Sequence, residues 1–159
     1  MSKIKVAGIF GGTSPEHDAS LSSATNIIKN IPEDKYEVIA VGITKKGRWL
    51  YYPGDVSLLT TSRWESHPDC TPAVLSPDPI HNGFILLGED SAIKKVDVIF
   101  PVLFGRNGTD GAIEGLCEMS GIPYVGSGIP ASANCMDKDI ANTILEANGI
   151  PTARRIIVS

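Results

Sequence analysis

The sequence predicts an α/β fold, in which a mostly parallel sheet carries helices on its faces. Three observations point there. Apolar runs of strand length alternate with segments of helical period, as they do when helices cover a sheet. Two of those runs, Ile4–Phe10 and Asp97–Leu103, are almost continuously apolar, the mark of strands covered on both faces. The chain is 159 residues long, 42% hydrophobic and 20% charged, which suits one packed core and lies far from the composition of disordered segments.

Ile4–Phe10 is read as the first strand. Leu21, Ala24, Ile27 and Ile28 then recur at helical spacing and make Ser20–Asn30 a helix with one buried stripe, ended by Pro32. Tyr36–Ile43 is the second strand, and Lys46-Gly47 turns the chain into a short antiparallel ribbon over Arg48–Tyr52. Residues 53–82, rich in Pro, Ser, Thr and Asp, read as an excursion from the sheet, with a short apolar run at Gly83–Leu87. Asp97–Leu103 is another strand, and its Pro101 implies an edge, a bulge or the strand's end.

The glycine-rich loop 104–111 follows, and Asp110 is placed to cap a helix with Ile113, Leu116 and Cys117 on its buried stripe, stopped by Gly121 and Pro123. Tyr124–Gly126 reads as a short strand and Gly128–Ala133 as a stretch of small residues. Asp137 caps a further helix with Ile140, Ala141, Ile144 and Leu145 on one face, closed by Asn148-Gly149, and Arg155–Val158 begins another strand. A lone helix and strand after a complete α/β unit have nothing to bury against, so the chain is expected to be a piece of a longer enzyme.

Composition excludes several classes. Net charge is −4 and no basic cluster exceeds a pair of residues, which argues against nucleic acid. The cysteines, Cys70, Cys117 and Cys135, are three in number and widely spaced, unsuited to a disulfide framework or a zinc knuckle. No signal-peptide pattern or membrane-length apolar stretch occurs, so a cytoplasmic location without membrane association is expected. Gly8-Ile-Phe-Gly11-Gly12 does not fit GxGxxG, and no acidic residue ends the second strand, which sets a dinucleotide site aside.

The turn between the first strand and first helix carries the chemistry. Gly11-Gly12 lets a ligand approach the backbone, and Glu16 stands at the helix start. A carboxylate there either stabilises the helix dipole or pairs with the ammonium of a small amino acid. Both alternatives fit the residues alone.

The run IFGGTSPEHDASLSSA resembles the opening signature of the D-Ala-D-Ala ligase family, GGxSxEHExSLxSA. Resemblance continues through Asp97–Pro101, GTDGAIEG at 108–115, GIPYVGSG at 121–128 and Cys135-Met136-Asp137-Lys138, and the ribbon GRWLYY is similar to the vancomycin-resistance branch. It implies a three-layer, Rossmann-like pre-ATP-grasp domain over residues 1–128 and the first elements of an ATP-grasp domain over 129–159. The implied activity is ATP-dependent joining of two D-amino acids through an acyl phosphate, for peptidoglycan precursors, with Mg²⁺ or Mn²⁺ bridging the phosphates. The resemblance assigns Glu16 to the ammonium of the first D-alanine, groups Gly12, Ser20 and Phe104 with it, and sets Lys138 against ATP phosphates. Phe104 and Thr109 depart from the family's usual His and Glu. By the same resemblance a homodimer is expected. The isolated piece should be inactive, bind no cofactor tightly and need the missing ATP-grasp remainder. The alternative is a short non-catalytic module that binds an amino acid or a protein.

Overall fold

The computed structural model describes residues 2–61, 63–88 and 91–156. Its centre is β1 (Ile4–Gly11), flanked by β2 (Tyr36–Ile43) and, with β3 to β6 numbered below, by β7 (Val98–Val102), all parallel. Register runs from Ile4 opposite Tyr36 to Gly11 opposite Ile43, and from Val6 opposite Val98 to Phe10 opposite Val102. The three strands therefore end level, and their carboxyl ends open on one crevice. Successive side chains point to opposite faces. Ala7, Ile9, Val41 and Ile99 enter one core cluster, whereas Phe10, Ala40 and Val102 enter the other.

Helix α1 (His17–Asn30) covers the second face with Leu21 and Ala24, and α2 (Ala112–Ser120) covers the first with Ile113 and Cys117. The α/β class and the helix-sheet-helix layering are as expected from sequence. Gly8 lies under α1, where an added Cβ would stand 3.6 Å from Ile28 Cδ1.

The sheet is mixed rather than mostly parallel. Beyond β2, strands β3 (Trp49–Tyr51), β4 (Thr71–Leu75), β5 (Gly83–Leu86) and β6 (Ala92–Lys95) pair antiparallel, giving the order β6-β5-β4-β3-β2-β1-β7. The polar middle section is thus no excursion. It contributes β4, and its short 3₁₀ turns at Val56–Thr61 and Trp64–Ser66 bury Leu59 and Trp64 completely. Trp64 stacks edge-on against Phe10 at 5.3 Å between ring centroids and against Tyr52 at 6.3 Å.

Other boundaries shift for local reasons. Helix α1 begins at His17, three residues earlier than its apolar stripe suggests. Gly111, in a left-handed conformation at φ 95°, occupies the N-cap of α2, and Asp110 acts one residue earlier by accepting from the Ala112 amide at 3.2 Å. Tyr124 forms only a single bridge to Ile99. The small residues after Gly128 form α3 (Ile129–Met136), with Pro130 in its first turn, where a missing N–H costs nothing. Helix α4 (Lys138–Ala147) is capped as predicted, since Asp137 accepts from the Asp139 and Ile140 amides. Arg155 and Ile156 are not strand, and the rest of that expected strand lies outside the described residues. Arg155 instead pairs with Asp139 and Glu146 of α4.

Candidate functional site

Three segments meet at the carboxyl ends of the parallel strands: the turn after β1, the loop after β7, and the start of α4. The turn is built on Gly11 and Gly12, both left-handed at φ 89° and 98°. At Gly11 a Cβ would run into the Ile43 carbonyl, so only glycine fits. The Gly12 amide donates to Ile43 O at 2.8 Å, and His17, buried at 2% exposure, places Nδ1 2.7 Å from Gly12 O.

Ser20 ties this turn to β7. Its hydroxyl accepts from the Gly11 amide at 2.7 Å and donates to Val102 O, and the residue is wholly buried. Ser20, expected among the substrate-binding residues, stands here with its hydroxyl bonded to the backbone on both sides of the turn. Ser14 makes the second tie, donating to Phe104 O at 2.8 Å while accepting from the Glu16 amide at 3.2 Å.

Glu16 is the N-cap residue of α1, yet its side chain makes no capping bond. The exposed carboxylate lies over Gly105, where an added Cβ would sit 2.6 Å from Glu16 Oε2. Gly105 thus leaves room for that carboxylate, and its φ of 68° suits glycine twice over. The loop then closes on Gly105 O, which accepts from the Gly108 and Thr109 amides, both at 3.0 Å.

Phe104 is half-buried against the cluster around Phe10 and Leu21. It also walls a cleft of about 460 Å³, across which stand Ser132 of α3 and Lys138 of α4. Lys138 is exposed, and its Nζ donates to Cys135 O at 2.7 Å. Glu114 lines the same cleft, with Oε1 accepting from Ser132 at 3.1 Å. The structure accordingly brings Glu16 and Gly105 together on one side of the loop and Phe104 and Lys138 together on the other. Gly12 shares a smaller hollow with Phe104.

Sequence reasoning missed Ser14 and His17 as organisers of the turn. A small hydroxyl three residues before a helix start is a signal for Ser14. No local pattern marks His17 as buried. Among titrating groups near the cleft, Cys117 stands out: burial, with a smaller contribution from Glu114, pushes its thiol up to about 12, so it is an inert core group rather than a nucleophile.

Residues 5–127 match the family described as D-ala D-ala ligase N-terminus. The chain belongs to that family. It is 44% identical over 159 residues to a D-alanine--D-alanine ligase of Thermoanaerobacter sp. (strain X514), covering 99% of this chain and 44% of that protein. It is 46% identical over 151 residues to the vancomycin B-type resistance protein VanB of Enterococcus faecalis, covering 94% of this chain and 42% of that one. The crystal structure of the VanG D-Ala:D-Ser ligase from Enterococcus faecalis superposes with a TM-score of 0.90 at 38% identity, over 96% of this chain and 44% of that one. The chain spans less than half the length of these ligases.

Proposed function

We propose that this chain is the substrate-binding N-terminal part of an ATP-dependent D-alanine-D-alanine ligase, joining two D-amino acids for peptidoglycan precursors in the cytoplasm. The observation that carries the reading is the Glu16 carboxylate: exposed, free of any capping bond, and lying over Gly105, while Ser14 fixes the Glu16 backbone. A carboxylate at a helix start favours the dipole without any hydrogen bond, so this one keeps both oxygens available to a ligand. Exposed and unbonded, it suits an ammonium group, and in this reading it holds that of the first D-alanine.

ATP, when bound, supplies the phosphoryl group that activates the first D-alanine's carboxylate. Lys138, exposed on the cleft and bonded only to one carbonyl, suits a phosphate oxygen. The donor set for a metal does not fit this part of the protein, because no three His, Cys, Asp or Glu side chains among the described residues are grouped to hold one. Mg²⁺ coordination is therefore assigned to the rest of the ligase. Phe104 turns an apolar ring to the cleft, so first-substrate recognition rests on Glu16 without a polar ring at 104. Residues 129–159 are read as the start of the ATP-grasp portion: the family match stops at 127, and no residue of α3 or α4 is buried. Such a ligase is expected to be a homodimer, which sedimentation equilibrium checks.

ATP-dependent phosphate release with D-alanine tests the reading. The 159-residue chain alone is expected to release none, and the chain joined to the remaining length of a ligase to release it only when D-alanine is present. Release by the isolated chain, or none by the longer protein, contradicts the proposal.

A further inference from the structure

A second, smaller cavity of about 160 Å³ lies on the other side of Phe104, next to the proposed substrate site, with which it shares Gly12 and Phe104. Its walls are the side chains of Ile43, Trp49, Leu103 and Ile113, with Phe104 as the partition from the larger cleft. Gly12 and Gly47 line it without side chains; a Cβ at Gly12 would touch Leu103 Cδ2 at 3.7 Å and one at Gly47 would touch Thr13 Cγ2 at 3.4 Å. A cavity of this order, lined by Leu and Ile, has room for about one benzene ring.

Its place in the fold is independent of its lining. The neighbours of β1 are β2 on one side and β7 on the other, so the chain's direction across the sheet reverses at β1. The crevice outside the carboxyl ends at such a reversal is where open α/β sheets bind ligands. Charge then narrows the class. Arg106 lines the cavity and forms no ion pair among the described residues, while the nearest loop carboxylate, Asp110, is engaged by the Asn107 and Ala112 amides.

We propose that this cavity is a binding site for a small apolar carboxylic acid, whose ring or branched body packs between Trp49 and Phe104 and whose carboxylate pairs with Arg106. Apolar walls supply attraction without direction, and a guanidinium supplies a charge-assisted, two-pronged contact to a carboxylate.

The two tryptophans make the test self-controlled, because Trp49 lines the cavity while Trp64 is wholly buried in the core cluster on the opposite face of the sheet. Benzoate is titrated into the chain at neutral pH and the two indole N–H resonances are followed by NMR. The expected result is a saturable shift of Trp49 with Trp64 unmoved, and binding of benzyl alcohol about tenfold weaker. Arg106→Gln, an exposed change, is expected to weaken benzoate about tenfold and leave benzyl alcohol unchanged, and Arg106→Lys to recover part of the loss. Three results overturn the proposal: no saturable Trp49 shift, equal shifts of both indoles, or an Arg106→Gln protein that binds benzoate as tightly as the unaltered one.

Discussion

At the scale of single residues, the turn after β1 is held by hydroxyls that face inward. Ser20→Ala removes the acceptor for the Gly11 amide and the donor to Val102 O at a wholly buried position. Leaving buried polar groups unpaired costs about 1–3 kcal/mol each. Urea denaturation is expected to show a loss of about 2 kcal/mol or more, and a change under about 0.5 kcal/mol would show that the tie does not matter. Cys117 sets a pH limit. Its thiol is held protonated in the fold, up to about 12 from an ordinary 9.0, so the stabilisation is complete below pH 9 and is lost as pH rises toward 12. Relative to Cys117→Ala, the unaltered protein should lose up to about 1.4 kcal/mol per pH unit in that window, read by denaturation at pH 8, 9.5 and 10.5. Phe104→His in the whole ligase restores a polar ring at the cleft and is expected to lower the apparent KM for the first D-alanine at least about threefold. An unchanged KM would show that position 104 takes no part in recognition.

At the scale of elements, the parallel trio and its two covering helices were legible because each carries its own period: continuous apolar runs in β1 and β7, and a stripe of Leu21, Ala24 and Ile28 in α1. The antiparallel half was legible only in its ribbon, β3, and in the short apolar run of β5. Its anchors, Leu59 and Trp64, are lone apolar residues in a polar stretch, and their burial is decided by what they meet across the sheet. Helix α3 was hidden for the same reason, since its small residues form no stripe and none is buried. Of the site, Glu16 and the glycine turn were legible from spacing, whereas the inward role of Ser20 depends on Val102, 82 positions away. Gly42 tests the tertiary explanation. An added Cβ there would overlap the Trp64 ring and stand 2.8 Å from Phe10 Cε2. Gly42→Ala is therefore expected to cost at least about 2–3 kcal/mol by overpacking, measured by thermal or urea unfolding, and a neutral effect would contradict this packing of Trp64 on β2.

At the scale of the whole molecule, two cores on opposite faces of one sheet fix the carboxyl ends of β1, β2 and β7, and that rigid edge presents the turn and loop. Helices α3 and α4 stand apart from both cores and carry exposed Ile140, Ile144 and Leu145. In the proposed ligase the rigid edge holds one substrate while the rest of the protein brings the phosphoryl donor to it. The most direct test is Glu16→Gln in the proposed full-length ligase, assayed by D-alanine-dependent phosphate release. The change keeps shape and removes the charge. The account predicts a fall in kcat/KM for D-alanine of about 100-fold, equivalent to roughly 2.7 kcal/mol, with the KM for ATP within about threefold of its original value. A kcat/KM for D-alanine within about threefold of the unaltered enzyme would contradict it.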